Sequence, residues 1–122
     1  MIKTHHSEYL KLEKVYIKSA KNAFKSEELL EKQWKELNYL SKPDLQIALK
    51  EYHQFESIFK ENNVEDSHFL SNENVAIDSI YCRDASIATD FGMIICNMGK
   101  EGRINEPKAQ LKEYQKKGIT IL

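Results

Sequence analysis

The chain has 122 residues, which is room for one ordinary domain and too few for two. Hydrophobic residues make up 41% and charged residues 30%, a balance that excludes a disordered chain. Eighteen basic residues face nineteen acidic ones for a net charge of -1, without the basic excess that displaces counterions from a polyanion, so no nucleic-acid partner is expected.

Positions 1–9, with the pair His5 and His6, are expected to form a flexible terminus, and 10–122 one folded unit. Partial alternation and β-branched residues over 10–19 predict a strand. Ser26 before Glu27 and Glu28 predicts a helix start, with Leu30, Trp34 and Leu37 on one face. Ser41-Lys-Pro-Asp44 predicts a second start. Leu45, Ala48, Leu49, Tyr52, Phe55, Ile58 and Phe59 then recur at helical spacing as far as Asn62 and Asn63.

A short strand is expected over 64–70. Two more are expected over 75–88 and 93–97, divided by a turn at Asp90-Phe-Gly92. Asn105-Glu-Pro107 opens a final helix carrying Leu111 and Tyr114, with Gly118 as its C-terminal cap. Residues 119–122 begin another strand, which gives a mixed α/β (α+β) chain with helices packed on sheets. A chain ending inside an apolar strand leaves an open edge, which reads as truncation at the C-terminus or as one part of a larger assembly.

The segment Ile77-Asp78-Ser-Ile-Tyr-Cys-Arg-Asp84 places charge in a predicted strand, where it needs a partner. Period-two geometry would set Asp78, Ile80, Cys82 and Asp84 on one face. Two carboxylates there could grip a planar guanidinium, whose forked donors match them. Equally, they could be the polar edge of a structural strand, with Arg83 as a local ion partner.

Asp78-Ser-Ile-Tyr-Cys-Arg-Asp84-Ala, the strand Gly92-Met-Ile-Ile-Cys-Asn and Gly99-Lys-Glu-Gly-Arg103-Ile-Asn-Glu106 together resemble the dimethylarginine dimethylaminohydrolase and amidinotransferase family. Arginine deiminases carry an element similar to Tyr81-Cys-Arg-Asp84. The resemblance implies a five-bladed α/β-propeller of which this chain supplies about two modules. It implies that Asp84 binds the guanidinium, Asp78 shapes its pocket and Arg103 binds the substrate carboxylate. Phe24 falls where the family has a loop over the substrate. The family's mammalian hydrolases have an acid where this chain has Arg83, which leaves a guanidino compound other than methylated arginine open.

The implied reaction is hydrolysis of an amidine C–N bond through a covalent cysteine intermediate. Its cysteine and histidine belong to later modules, and no cofactor or metal takes part. The partners implied are an arginine-like small molecule and the missing modules, from the same chain or a second one; a homodimer is also allowed. Amidino transfer, arginine deimination and non-catalytic binding of an arginine-like metabolite are the alternatives.

Cys82 lies between two carboxylates that would suppress its thiolate, so a packed thiol is the expectation there, as for Cys96. His53 and His68 lack the spacing of a metal pair. Trp34, Tyr52, Phe55 and Phe59 are read as core. No apolar run approaches the roughly 20 residues that cross a bilayer, and no signal peptide is legible, so a cytoplasmic protein without a membrane partner is expected.

Overall fold

The computed structural model describes residues 7–122, so the expectation placed on His5 and His6 lies outside the described residues. The order is β1 (Lys14–Ile17), α1 (Ala20–Phe24), α2 (Glu27–Gln33), α3 (Leu45–Glu61), β2 (Glu65–His68), β3 (Ser86–Thr89), β4 (Gly92–Ile95) and α4 (Glu106–Lys116). Short 3₁₀ turns occupy Ile77–Ile80, Cys82–Ala85 and Glu101–Arg103. The class is mixed α+β. No helix among the described residues is long and apolar enough to cross a membrane.

β1 runs parallel to β2, from Lys14 opposite Glu65 to Ile17 opposite His68. A parallel pair needs a crossover, and α1, α2 and α3 supply it. The helices start where side chains can satisfy free amides. Ser19 accepts from the Asn22 amide at 3.2 Å, and Ser26 from Leu29 at 3.1 Å. The start predicted at Ser41 lies three residues later: Asp44 caps α3 by accepting from the Ile47 amide at 2.9 Å. Pro43 explains the delay, because it disfavours helical geometry at Lys42.

β3 and β4 form an antiparallel hairpin in which Thr89 pairs with Gly92, leaving Asp90 and Phe91 as the loop. The terminal strand predicted over 119–122 is reduced to the bridge residues Ile119 and Ile121, with Ile121 pairing parallel to Met93 on the other edge of β4. Met93 N donates to Thr120 O at 2.8 Å, and Leu122 N to Met93 O at 3.0 Å. This closeness makes Gly92 obligatory. Its φ is +152°, and a Cβ there would lie 2.8 Å from the Thr120 carbonyl oxygen. Gly92→Ala is expected to cost about 1–3 kcal/mol in urea unfolding. Gly118→Ala should cost only about 1 kcal/mol, because φ is +69° there but the space is open.

Two apolar clusters hold these pieces together. Ala20, Ala23, Phe24, Leu30, Leu37 and Ile77 bury under the helices, with Leu45, Ala48, Leu49 and Tyr52 of α3 packed against them. Phe69, Met93 and Tyr114 form the second cluster. There Tyr16 stacks on Phe69 with centroids 4.7 Å apart and meets Tyr114 edge-on at 5.3 Å. Ser86 Oγ donates to Gln110 Oε1 at 2.6 Å, and Gln110 Nε2 donates to the Cys82 carbonyl at 2.7 Å, tying β3 and the second 3₁₀ turn to α4.

The strand expected over 75–88 is the main correction. Only Ser86–Thr89 is extended; residues 77–85 are 3₁₀ turns closed by Ser79 N to Ala76 O and Tyr81 N to Asp78 O, each 3.0 Å, and Asp84 N to Tyr81 O at 3.2 Å. Aspartate is a poor strand former, and no neighbouring strand among the described residues is placed to pair this segment. The Ile77 amide donates instead to the Gln33 side chain at 3.0 Å.

Candidate functional site

A 3₁₀ turn repeats every three residues, so side chains at i and i+3 eclipse. This period replaces the period of two and sorts residues 77–85 differently. Asp78, Tyr81 and Asp84 line a cavity of about 660 Å³, together with residues 37–41, Lys100 and Arg103. Ser79 and Cys82 line a separate cavity of about 210 Å³. The aspartates share a cavity, as the sequence suggested, but for a different geometric reason. Cys82, placed beside them by alternation, faces away.

Both aspartates hold internal cations. Asp78 is 3% exposed, and its Oδ2 accepts from Lys100 Nζ at 2.6 Å. The same ammonium donates to the Leu37 carbonyl at 2.6 Å. Tyr39 extends this corner. Its hydroxyl is buried without a hydrogen bond of regular geometry, and burial, followed by the neighbouring Asp78, raises its pKa above the usual phenol value.

Arg103 is 8% exposed and lies at the end of the third 3₁₀ turn. Its Nε and Nη2 grip the two oxygens of Glu106 at 2.7 and 2.8 Å, Nη1 donates to Asp84 Oδ2 at 2.7 Å, and Nη2 also reaches the Tyr81 carbonyl at 3.0 Å. Four of five guanidinium N–H groups are thus committed within the protein. Glu106 foremost, and Asp84 after it, raise the Arg103 pKa against the opposing effect of burial. Arg103 therefore orients Asp84 and retains one donor for a ligand, fewer than a fork-to-carboxylate grip on a substrate requires.

Asp84 remains open. Its side chain is 54% exposed while anchored from one side. Within the bonded network, Asp78, Asp84 and Glu106 set three negative charges against the two positive charges of Lys100 and Arg103. Glu106 is buried and lines the smaller cavity, so the larger one is lined by two carboxylates and two cations, and Asp84 is the most accessible of the carboxylates.

Phe24 is not at this cavity. It is 6% exposed at the end of α1 within the first core cluster, and the chain turns away at Lys25, where φ is 62°. The apolar ring is better buried there than held over a polar opening. Arg83 points elsewhere too, with Nη2 3.4 Å from the exposed Glu8 carboxylate. Cys82 behaves as a packed thiol: its pKa is raised, by burial first, and not by the aspartates on either side.

Sequence spacing missed two features. Lys100 as the partner of Asp78 carried no local signal, because 22 positions separate them. Glu56, Asp66 and His68 bring their ligating atoms within 4.8 Å of one another, with His68 Nε2 2.8 Å from Asp66 Oδ2. That group joins α3 to β2 and so lies outside any single-helix histidine spacing.

The site thus defines an α+β chain with a cavity of paired charges walled by a 3₁₀ segment, on which Asp84 is the open carboxylate. Comparison with models of protein families, with curated proteins and with solved structures gives no match.

Proposed function

We propose that the larger cavity binds the guanidinium of an arginine-like substrate, as part of a guanidino-modifying hydrolase of the dimethylargininase type. One observation carries the reading: Asp84, half exposed and held by Arg103 from one side, is the open carboxylate of this cavity. A flat fork suits such an open carboxylate better than a compact ammonium does. Asp78, fixed by Lys100, acts as a wall of the pocket. The family resemblance supports the same assignment and, with it, a propeller built from repeated modules.

Hydrolysis of the C–N bond requires a thiolate to add to the guanidinium carbon and an imidazole to protonate the departing amine. Among the described residues, no cysteine or histidine lines this cavity. In the enzymatic reading, the remaining modules bring both. The same observation favours a second reading, an arginine-binding module without catalysis. Product analysis of the assembled protein separates them: free amine marks hydrolysis, a new guanidino compound marks amidino transfer, ammonia with citrulline marks deimination, and unchanged arginine marks the module.

Titration of the chain with arginine, followed by amide chemical shifts, tests the binding step common to all these readings. Resonances of Tyr81, Asp84 and Arg103 are expected to move with arginine and much less with lysine. Asp84→Asn should weaken the response at least tenfold, about 1.4 kcal/mol. Equal responses to arginine and lysine, or an unchanged response in Asp84→Asn, would remove the basis of the proposal.

A further inference from the structure

The smaller cavity lies on the opposite side of the 77–85 segment, between the end of β1, residues 69–72 and α4. Two polar groups reach it from almost complete burial. Lys18 is 3% exposed, and among the described residues the acceptor for its Nζ is the Leu70 carbonyl at 2.7 Å. An ammonium carries three donors, so two are left without an acceptor among the described residues. Ser79 is 5% exposed, and its hydroxyl is buried with no hydrogen-bond partner among the described residues. Burying unpaired donors is costly unless something completes them.

The surrounding charge decides what that something is. Glu106 also lines the cavity, but both its oxygens are held by Arg103, so it is not free to receive a cation. On α4, Lys112 and Lys116 stand at the cavity with Glu113 between them. The available field is positive, and the unsatisfied groups are donors. Phe69 and Val75 add an apolar wall. A volume of about 210 Å³ lies below the ~300 Å³ at which drug-sized sites begin, so the occupant is small.

We propose that this cavity is a second binding site, for a small ligand bearing an oxyanion, held by Lys18 Nζ and Ser79 Oγ. A carboxylate and a phosphate supply the same acceptor oxygens, and the test separates them. The site is independent of the guanidino reading, because it uses neither Asp78 nor Asp84.

The 122-residue chain is titrated separately with sodium phosphate and sodium butyrate against sodium chloride of equal ionic strength, following the amide resonances of Lys18, Ser79 and Gln110. Saturable shifts with at least one probe are expected, and the stronger probe names the oxyanion. Lys18→Met should abolish binding, and Ser79→Ala should weaken it at least threefold. Both variants remove a buried unsatisfied group, so both should stay folded. Asp84→Asn should bind as the parent chain does. Shifts no larger than those from chloride, or binding that survives Lys18→Met, would overturn the assignment. Loss of arginine binding alone leaves it standing.

Discussion

Arg103→Met is expected to destabilise the fold by about 3–5 kcal/mol, the cost of leaving a buried charge without its partner. The stranded group is Glu106, whose side chain is 3% exposed and whose two oxygens both rest on the guanidinium. The Tyr81 carbonyl and Asp84 lose donors in the same step. A single ammonium cannot reproduce the fork, so Arg103→Lys should recover only part of the loss. Adding Glu106→Gln to Arg103→Met should restore much of it, because the second change removes the unpaired charge. Asp84→Asn should cost no more than about 1 kcal/mol, since its carboxylate is half solvated. Urea unfolding of the set measures these differences. Equal losses in Asp84→Asn and Arg103→Met would show that the buried Arg103–Glu106 pair does not dominate.

Lys18→Met, in contrast, is expected to stabilise the unliganded chain at pH 7 by about 2 kcal/mol. Burial, with the positive charge of Lys25 second, lowers the Lys18 pKa from 10.5 to about 8, while Glu106 and then Cys82 act in the raising direction. At 1.36 kcal/mol per pH unit this shift reflects a cost on the order of 3 kcal/mol. Loss of the bond to the Leu70 carbonyl gives back about 1 kcal/mol. The pH signature follows from the sign of the shift. Between about 8 and 10.5 the unfolded chain holds a proton that the folded chain has released, so stability rises with pH across that window. The Cys82 thiol, raised by burial, opposes this from about pH 9, and buried phenols oppose it above pH 10, where Tyr114 is raised to about 12 by burial. In each case the unfolded chain ionises first, so the rise is steepest between about 8 and 9. Parent stability should therefore climb from about pH 8 to 9, and Lys18→Met should show no climb. A parallel rise in both proteins would refute the lysine's role.

Much of the fold was legible because short-range rules decided it. Ser26 capped a helix, Asn62 and Asn63 ended one, Gly118 closed another, and Asp90 with Phe91 turned a hairpin. Residues 75–88 misled because apolar and β-branched positions suggested a ladder, while the described residues offer 77–85 no partner strand. The choice between a period of two and a period of three is a tertiary one, made where Gln33 captures the Ile77 amide. The same choice governed the candidate site. Asp84 and Asp78 were found at one cavity, yet their bonds to Arg103 and Lys100 come from residues 19 and 22 positions away. Phe24 was assigned from the resemblance, which puts a loop over the substrate where this chain has the buried end of α1. Lys18 and Ser79 gave no signal at all, since the meaning of each depends on burial.

The topology also sets an order of assembly. Ser86 and Ile95 meet across a two-residue loop, so the hairpin requires almost no chain closure and belongs to the microsecond class of events. Lys14 and Glu65 stand about fifty residues apart, and joining them carries an entropic cost that grows with the logarithm of that separation. Docking of the first strand is therefore expected to come late, after the intervening helices have shortened the path. Lys18, just beyond that strand, is thus desolvated among the last residues to settle, and its burial weighs on the closing step of folding.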